Sequence, residues 1–214
     1  MKFFSLDTPI MQKLNKYACL VIMNILWVLC SLPVFTIGAS TAAMYSVLFK
    51  LRENDSASPA EFFQAFKDSF KHATLIWLAV LGSLLLLGAA YWGTLYVELD
   101  VLRLILVLIV AALALIWFLA GLLVFPLTAY FENSVKNTLK NAVLVALRYI
   151  RKMIPCAALT ILPVLIADLD LELFLRFLFL WLCVLSGLIA YIKSGLILKI
   201  FEDLSPKEAS PELQ

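Results

Sequence analysis

Long apolar runs alternate with short polar breaks along the whole chain, and that alternation predicts membrane-crossing helices. The first run, Tyr17–Leu32, holds Asn24 as its one strongly polar side chain. After a turn at Pro33, Gly38–Leu51 reads as a short helix of small residues ending in Lys50 and Arg52. Further spans are expected at Ala73–Gly93, Leu104–Phe125, Met153–Ala167 and Leu173–Leu204. Counting Gly38–Leu51 as a crossing gives six segments; omitting it gives five and sends the termini to opposite sides.

Two stretches have helical period but one polar face. Ser58-Pro59-Ala60-Glu61 is a helix start, with Ser58 as N-cap, Pro59 in the first turn and Glu61 closing a capping box. Behind it Phe62, Phe63, Phe66 and Phe70 alternate with Gln64, Lys67, Asp68 and Lys71. The second stretch, Ala129–Lys152, follows a bend expected at Pro126. It sets Val135, Leu139, Val143 and Leu147 against Asn133, Lys136, Asn137, Lys140 and Asn141. Glu132 and Lys136 are spaced as a favourable i,i+4 pair. Both stretches are expected to lie along the cytoplasmic membrane surface. Ala65–Leu81 can also be laid on Ala146–Leu162 as a faint repeat: a basic amphipathic segment, then a span, then an acidic turn. The common layout of membrane hairpins explains that similarity equally well.

Composition agrees: 64% of the 214 residues are hydrophobic and 15% charged, which excludes an ordinary soluble domain. A net charge of +2 without a basic stripe gives no reason to expect nucleic acid. The fold class expected is therefore an all-α, polytopic membrane protein. It is read as one helical domain over 1–214 with a disordered tail at 205–214, and the bilayer as its solvent.

Lys and Arg gather in the lead-in (Lys2, Lys13, Lys16), at 50–71, at 136–152 and near the C-terminus, leaving only Arg103 and Arg176 for the other side. That asymmetry favours six segments with both ends in the cytoplasm. Lysines before an apolar run loosely mimic a secretory signal, and Thr8-Pro9 offers a start for an interfacial helix. A second hydrophobic segment ending in basic residues argues for a retained span instead.

Chemistry-bearing residues are sparse. Cys19, Cys30, Cys156 and Cys183 sit in apolar runs without metal-ligand spacing, so no metal or cofactor is expected. His72 is the one histidine, placed at the end of the first amphipathic helix, and no zinc-protease, Walker A or nucleophile-elbow motif occurs. Asp168, Asp170 and Glu172 form an acidic turn of an ordinary kind. No enzyme is expected. Asn24 is read as an interhelical hydrogen-bonding group, with a substrate contact as the alternative. The small face Gly38, Ala39, Ser40, Thr41, Ala42 and Ala43 suits close helix packing or a partner helix. No ionisable residue is placed securely in mid-span.

The segment NILWVLCSLPVFTIGASTAA (Asn24–Ala43) is similar to the hallmark of the YesL-like family of bacterial integral membrane proteins, and ENSVKNTLKNAVLVALR (Glu132–Arg148) resembles that family's second block. The resemblance implies a role beside ABC-type carbohydrate uptake systems, which members often accompany. It assigns no chemistry to Asn24, Pro33, Thr36 or Gly38. From these readings follow an accessory partner that contacts permease subunits or self-associates, a stand-alone permease using the Thr36–Thr41 wall, and, less directly, a sensor.

Overall fold

The structure, a computed structural model, describes residues 9–54 and 56–204. Residues 1–8 of the expected lead-in and the tail at 205–214 lie outside these residues, and the rest of the lead-in, through Lys16, is part of the first helix. Helix α1 (Pro9–Cys30) leads through a 3-10 turn (Val34–Thr36) into α2 (Ile37–Asn54). There follow α3 (Pro59–Thr94), α4 (Asp100–Tyr130), α5 (Val135–Arg148) and α6 (Ile150–Leu169). The described residues end in α7 (Leu171–Arg176), α8 (Leu178–Leu180), a π-helical turn (Trp181–Leu185) and α9 (Ser186–Leu204). The protein is an all-α, polytopic membrane type. Five stretches are long and apolar enough to cross a bilayer: Val34–Glu53, Pro59–Thr94, Asp100–Tyr130, Ile150–Leu169 and Leu178–Leu204. Leu14–Cys30 is a shorter apolar helix.

Contacts between helix ends fix the directions. The Lys16 ammonium, near the start of α1, lies 5.7 Å from the ring centre of Tyr191, the sixth residue of α9. Arg52, at the end of α2, stacks on the same ring at 4.0 Å and donates to Ser194 Oγ at 2.9 Å and to the Tyr191 carbonyl. Lys152 at the start of α6 pairs with Asp203 at the end of α9, and Lys50 with Glu61 at the start of α3. All these cations therefore gather at one end of the bundle, and α1 and α2 form an antiparallel hairpin.

Helix α2 is the centre of the bundle. Two thirds of its apolar window (67%) is buried, against 11% or 17% for each of the other four spans. It supplies residues to all three buried clusters: Ala43, Val47, Leu48 and Leu51 pack on Met23 and Phe62, Ala39 and Ala42 on Ala73, and Tyr45 and Phe49 on residues of α3–α6 and α9. Gly38 makes this possible. A Cβ there would stand 2.5 Å from the Ala73 carbonyl oxygen and 2.7 Å from Trp77 Cβ, so only glycine lets α2 and α3 approach so closely. The turn before it is held by side chains: Thr36 Oγ1 donates toward the Cys30 and Pro33 carbonyls, and Ser31 and Ser40 share a 2.6 Å hydrogen bond.

Several expectations are corrected. The first amphipathic stretch is no separate surface element: it forms the first turns of the 36-residue α3, and Phe62 is fully buried against α1 and α2. Phe62 finds its cover in protein, Phe66 and Phe70 are half-buried, and Phe63 stays exposed. His72 accordingly sits inside a continuous helix. Pro126 does not end α4, which runs on to Tyr130; α5 then starts afresh at its Ser134 cap. Glu132 precedes that cap, so Glu132 and Lys136 are not an i,i+4 pair on one helix. Helix α6 begins at Ile150, ahead of the expected Met153, so Pro155 lies within it. The last span is not one smooth helix, since the chain breaks at Phe177 and widens into the π turn. The repeat is unequal as well, because its second copy breaks at Tyr149 and its first does not break at all.

Candidate functional site

At the end of the bundle that carries the cations, two helix starts face each other across an open polar groove. The capping box forms as the local sequence dictates: Glu61 N–H donates to Ser58 Oγ at 3.3 Å and Ser58 N–H to Glu61 Oε2 at 2.8 Å. This anchors the first turns of α3. Ser134 caps α5 in the same manner, accepting from the Asn137 N–H at 3.4 Å. Between them the groove has a volume of about 910 Å³. Its walls come from α2 (Ser46, Lys50), from α3 (Glu61, Gln64, Asp68, His72) and from the α4–α5 junction (Tyr130, Glu132, Asn133, Asn137).

The groove mixes both charge signs with amide and hydroxyl groups. Lys50 and Glu61 pair at 3.4 Å on its rim, half exposed, a contact of at most about 1 kcal/mol. His72 Nε2 is buried and has no hydrogen-bond partner among the described residues. A buried ring nitrogen without a partner is disfavoured and gains from any donor or acceptor that enters. The site has no assembled nucleophile–base pair. It is suited to binding a polar segment.

Of the surface-helix residues singled out in the sequence, Asn133 and Asn137 line the groove. Lys136 and Lys140 are exposed and Asn141 is half-buried, none of them on the groove wall. Among the small residues, Ala39, Ser40, Ala42 and Ala43 are buried within the chain itself, leaving little face for a second protein. Pro33 stays exposed in the turn and Thr36 is buried there.

Asn24 and Thr41 come together elsewhere, on a smaller cavity of about 200 Å³ between α1, α2, α6 and α9. Asn24 Nδ2 donates to the Leu182 carbonyl in the π turn at 2.5 Å, and Ser186 Oγ donates to Asn24 Oδ1 at 3.1 Å. Gly187 admits this contact, since a Cβ there would lie 2.8 Å from Asn24 Cβ. Thr41 Oγ1 accepts from Trp27 Nε1 at 3.1 Å. Lys193 lines the same cavity, with Nζ 3.1 Å from Thr160 Oγ1. This corrects the expectation that no ionisable residue is placed securely in mid-span. A lysine a few residues from the end of an apolar run reads in sequence as an interfacial one. Only the packing of α9 on α6 turns it inward.

Residues 20–91 match the family described as a protein of unknown function, DUF624. No curated protein and no solved structure matches the chain. The matched residues contain the whole Asn24–Ala43 segment, and therefore the turn between α1 and α2 and the Gly38 contact; Glu132–Arg148 lies beyond them.

Proposed function

We propose that this chain is a non-enzymatic integral protein of a bacterial cell membrane, serving as accessory partner to an ABC-type carbohydrate uptake system. The observation that carries the reading is the polar groove. It is open, anchored by two capped helices, and it presents Gln64, Asp68, His72, Asn133 and Asn137 at the end of the bundle where the cations gather. The similarity of Asn24–Ala43 to the YesL-like hallmark, within the stretch that matches DUF624, supports the same reading and supplies the class of partner. By the distribution of Lys and Arg, the groove and both termini face the cytoplasm. The chain carries no Walker A sequence, so ATP-driven work falls to the partner.

The deciding experiment is affinity purification in mild detergent from the native membrane. Permease subunits of a carbohydrate importer are expected with the wild-type chain and are expected to be depleted by Asn133→Arg/Asn137→Arg in the groove. Purification alone, together with solute flux in liposomes that contain no other protein, sinks the accessory role. The second reading, a stand-alone permease, draws its support from the Asn24–Lys193 cavity and is carried by that flux result. Orientation is tested separately by single cysteines at position 5 and within 53–58 on a Cys-free background. Both are expected to be shielded from impermeant reagents applied outside.

A further inference from the structure

We propose that the cavity between α1, α2, α6 and α9 binds the anionic group of a ligand, a carboxylate or phosphate, with the Lys193 ammonium as its anchor. The proposal holds under either functional reading, because it concerns a site inside the bundle and not the groove.

Lys193 does not reach back toward the end of the bundle where the other cations gather. Helical side chains lean toward the helix N-terminus, and for α9 that end is the far one. The ammonium meets Thr160, ten residues into α6 and therefore about 15 Å from that helix's start, near the middle of a hydrocarbon core of about 30 Å. Arg52 and Lys16 behave differently, both settling on the ring of Tyr191 and not in the cavity.

A cation at such depth is disfavoured unless paired, and no carboxylate is among the residues that line the cavity. Its hydrogen-bond partner, Thr160 Oγ1, is a neutral hydroxyl that already donates to the Cys156 carbonyl at 2.8 Å. One ammonium proton is thus engaged there, and the remaining charge is uncompensated by the lining residues. What the walls add is polar but neutral: Asn24, Thr41, Tyr45 and Ser186.

The helices are also interrupted around this one space. Pro163 lacks an N–H, which leaves the Leu159 carbonyl without its helical donor, and both residues line the cavity. Opposite them, the π turn begins at Trp181, another lining residue, and holds Leu182, whose carbonyl receives Asn24. Broken helices around a polar midplane cavity are the usual construction of an intramembrane binding site. At about 200 Å³ the space fits a small anion or the phosphate of a lipid headgroup, and is below the range of drug-sized pockets.

Trp27 and Trp181 both line the cavity and report on it. The purified protein is titrated with inorganic phosphate and with acetate in detergent. In parallel it is placed in nanodiscs of phosphatidylglycerol or phosphatidylcholine, with tryptophan fluorescence and thermal unfolding as readouts. Saturable binding of phosphate or acetate supports the site with a free solute as its source. A response to phosphatidylglycerol alone supports it with lipid as the source. In either arm Lys193→Met is expected to weaken the response at least tenfold, Lys193→Arg to retain part of it, and the exposed Lys136→Met to leave it unchanged. Absence of a saturable response in every wild-type arm overturns the proposal without reference to any variant. So does an undiminished response in Lys193→Met or, should that variant not fold, in Lys193→Gln.

Discussion

Helix α2 and the far half of the α3–α4 hairpin are both apolar and both helical, yet they face different surroundings. Around α2, small residues bring neighbouring backbones into contact, and side chains such as Val47, Leu48 and Leu51 have no exposed surface. Along the outer hairpin, Leu85, Leu86, Val101 and Leu104 are largely exposed, and a Cβ added at Gly82, Gly88 or Gly93 would meet nothing within 4 Å. Lipid tails are as apolar as leucine, so hydrophobicity alone does not draw helices together in a bilayer; close packing and hydrogen bonds do. The difference teaches that in this chain the less hydrophobic segment is the better packed one.

One substitution made in both regions separates them by the largest expected effect. Gly38→Ala forces a methyl against the Ala73 carbonyl and is expected to destabilise by about 3 kcal/mol, the upper part of the overpacking range. Gly88→Ala is expected to be neutral or stabilising by up to about 1 kcal/mol. Thermal unfolding in detergent reads both, and equal midpoints would remove the distinction. Next in size, Arg52→Ala strips the hydrogen bonds to Ser194 and the Tyr191 carbonyl and the ring contact. A loss of about 2 kcal/mol is expected from the charged hydrogen bonds. An unchanged midpoint would mean that α2 and α9 are not coupled through that side chain.

Asn24→Ala tests the tie between α1 and the π turn. The expected loss is about 1 kcal/mol, the scale of interhelical hydrogen bonds in membranes. If the midpoint rises instead, the Asn24 contacts are strained and do not hold the bundle. Smallest of all, Leu86→Ala on the outer hairpin is expected to stay within about 0.5 kcal/mol of wild type, since its side chain is exposed in the fold. A larger loss would show that a second copy or another protein covers this face.

Particular residues show how far the sequence was legible. The cap Ser58–Glu61 was readable because its bonds are made within four residues. Gly38 and its alanines were readable as a packing face, although not which helices would use it. The Thr36–Thr41 stretch was read as one wall, but Thr36 serves the turn while Thr41 serves the cavity. Lys193 was missed, because its distance from the end of an apolar run carries no information about which way it turns. The groove is half visible: its polar positions lie on two amphipathic stretches, but a stretch read alone shows no neighbouring helix to face.

By itself the sequence determined what is local or one-dimensional: helical class, membrane character, most of the spans, the caps, and the side toward which cations gather. These follow from transfer free energy along a run of residues and from hydrogen bonds that close within one turn. Only the tertiary structure decided that α3 is continuous through its amphipathic start, that α2 is the buried centre, and that Asn24, Thr160 and Lys193 share one cavity. Those facts depend on which helix lies beside which, and helices far apart in the chain met there through packing that no single segment encodes.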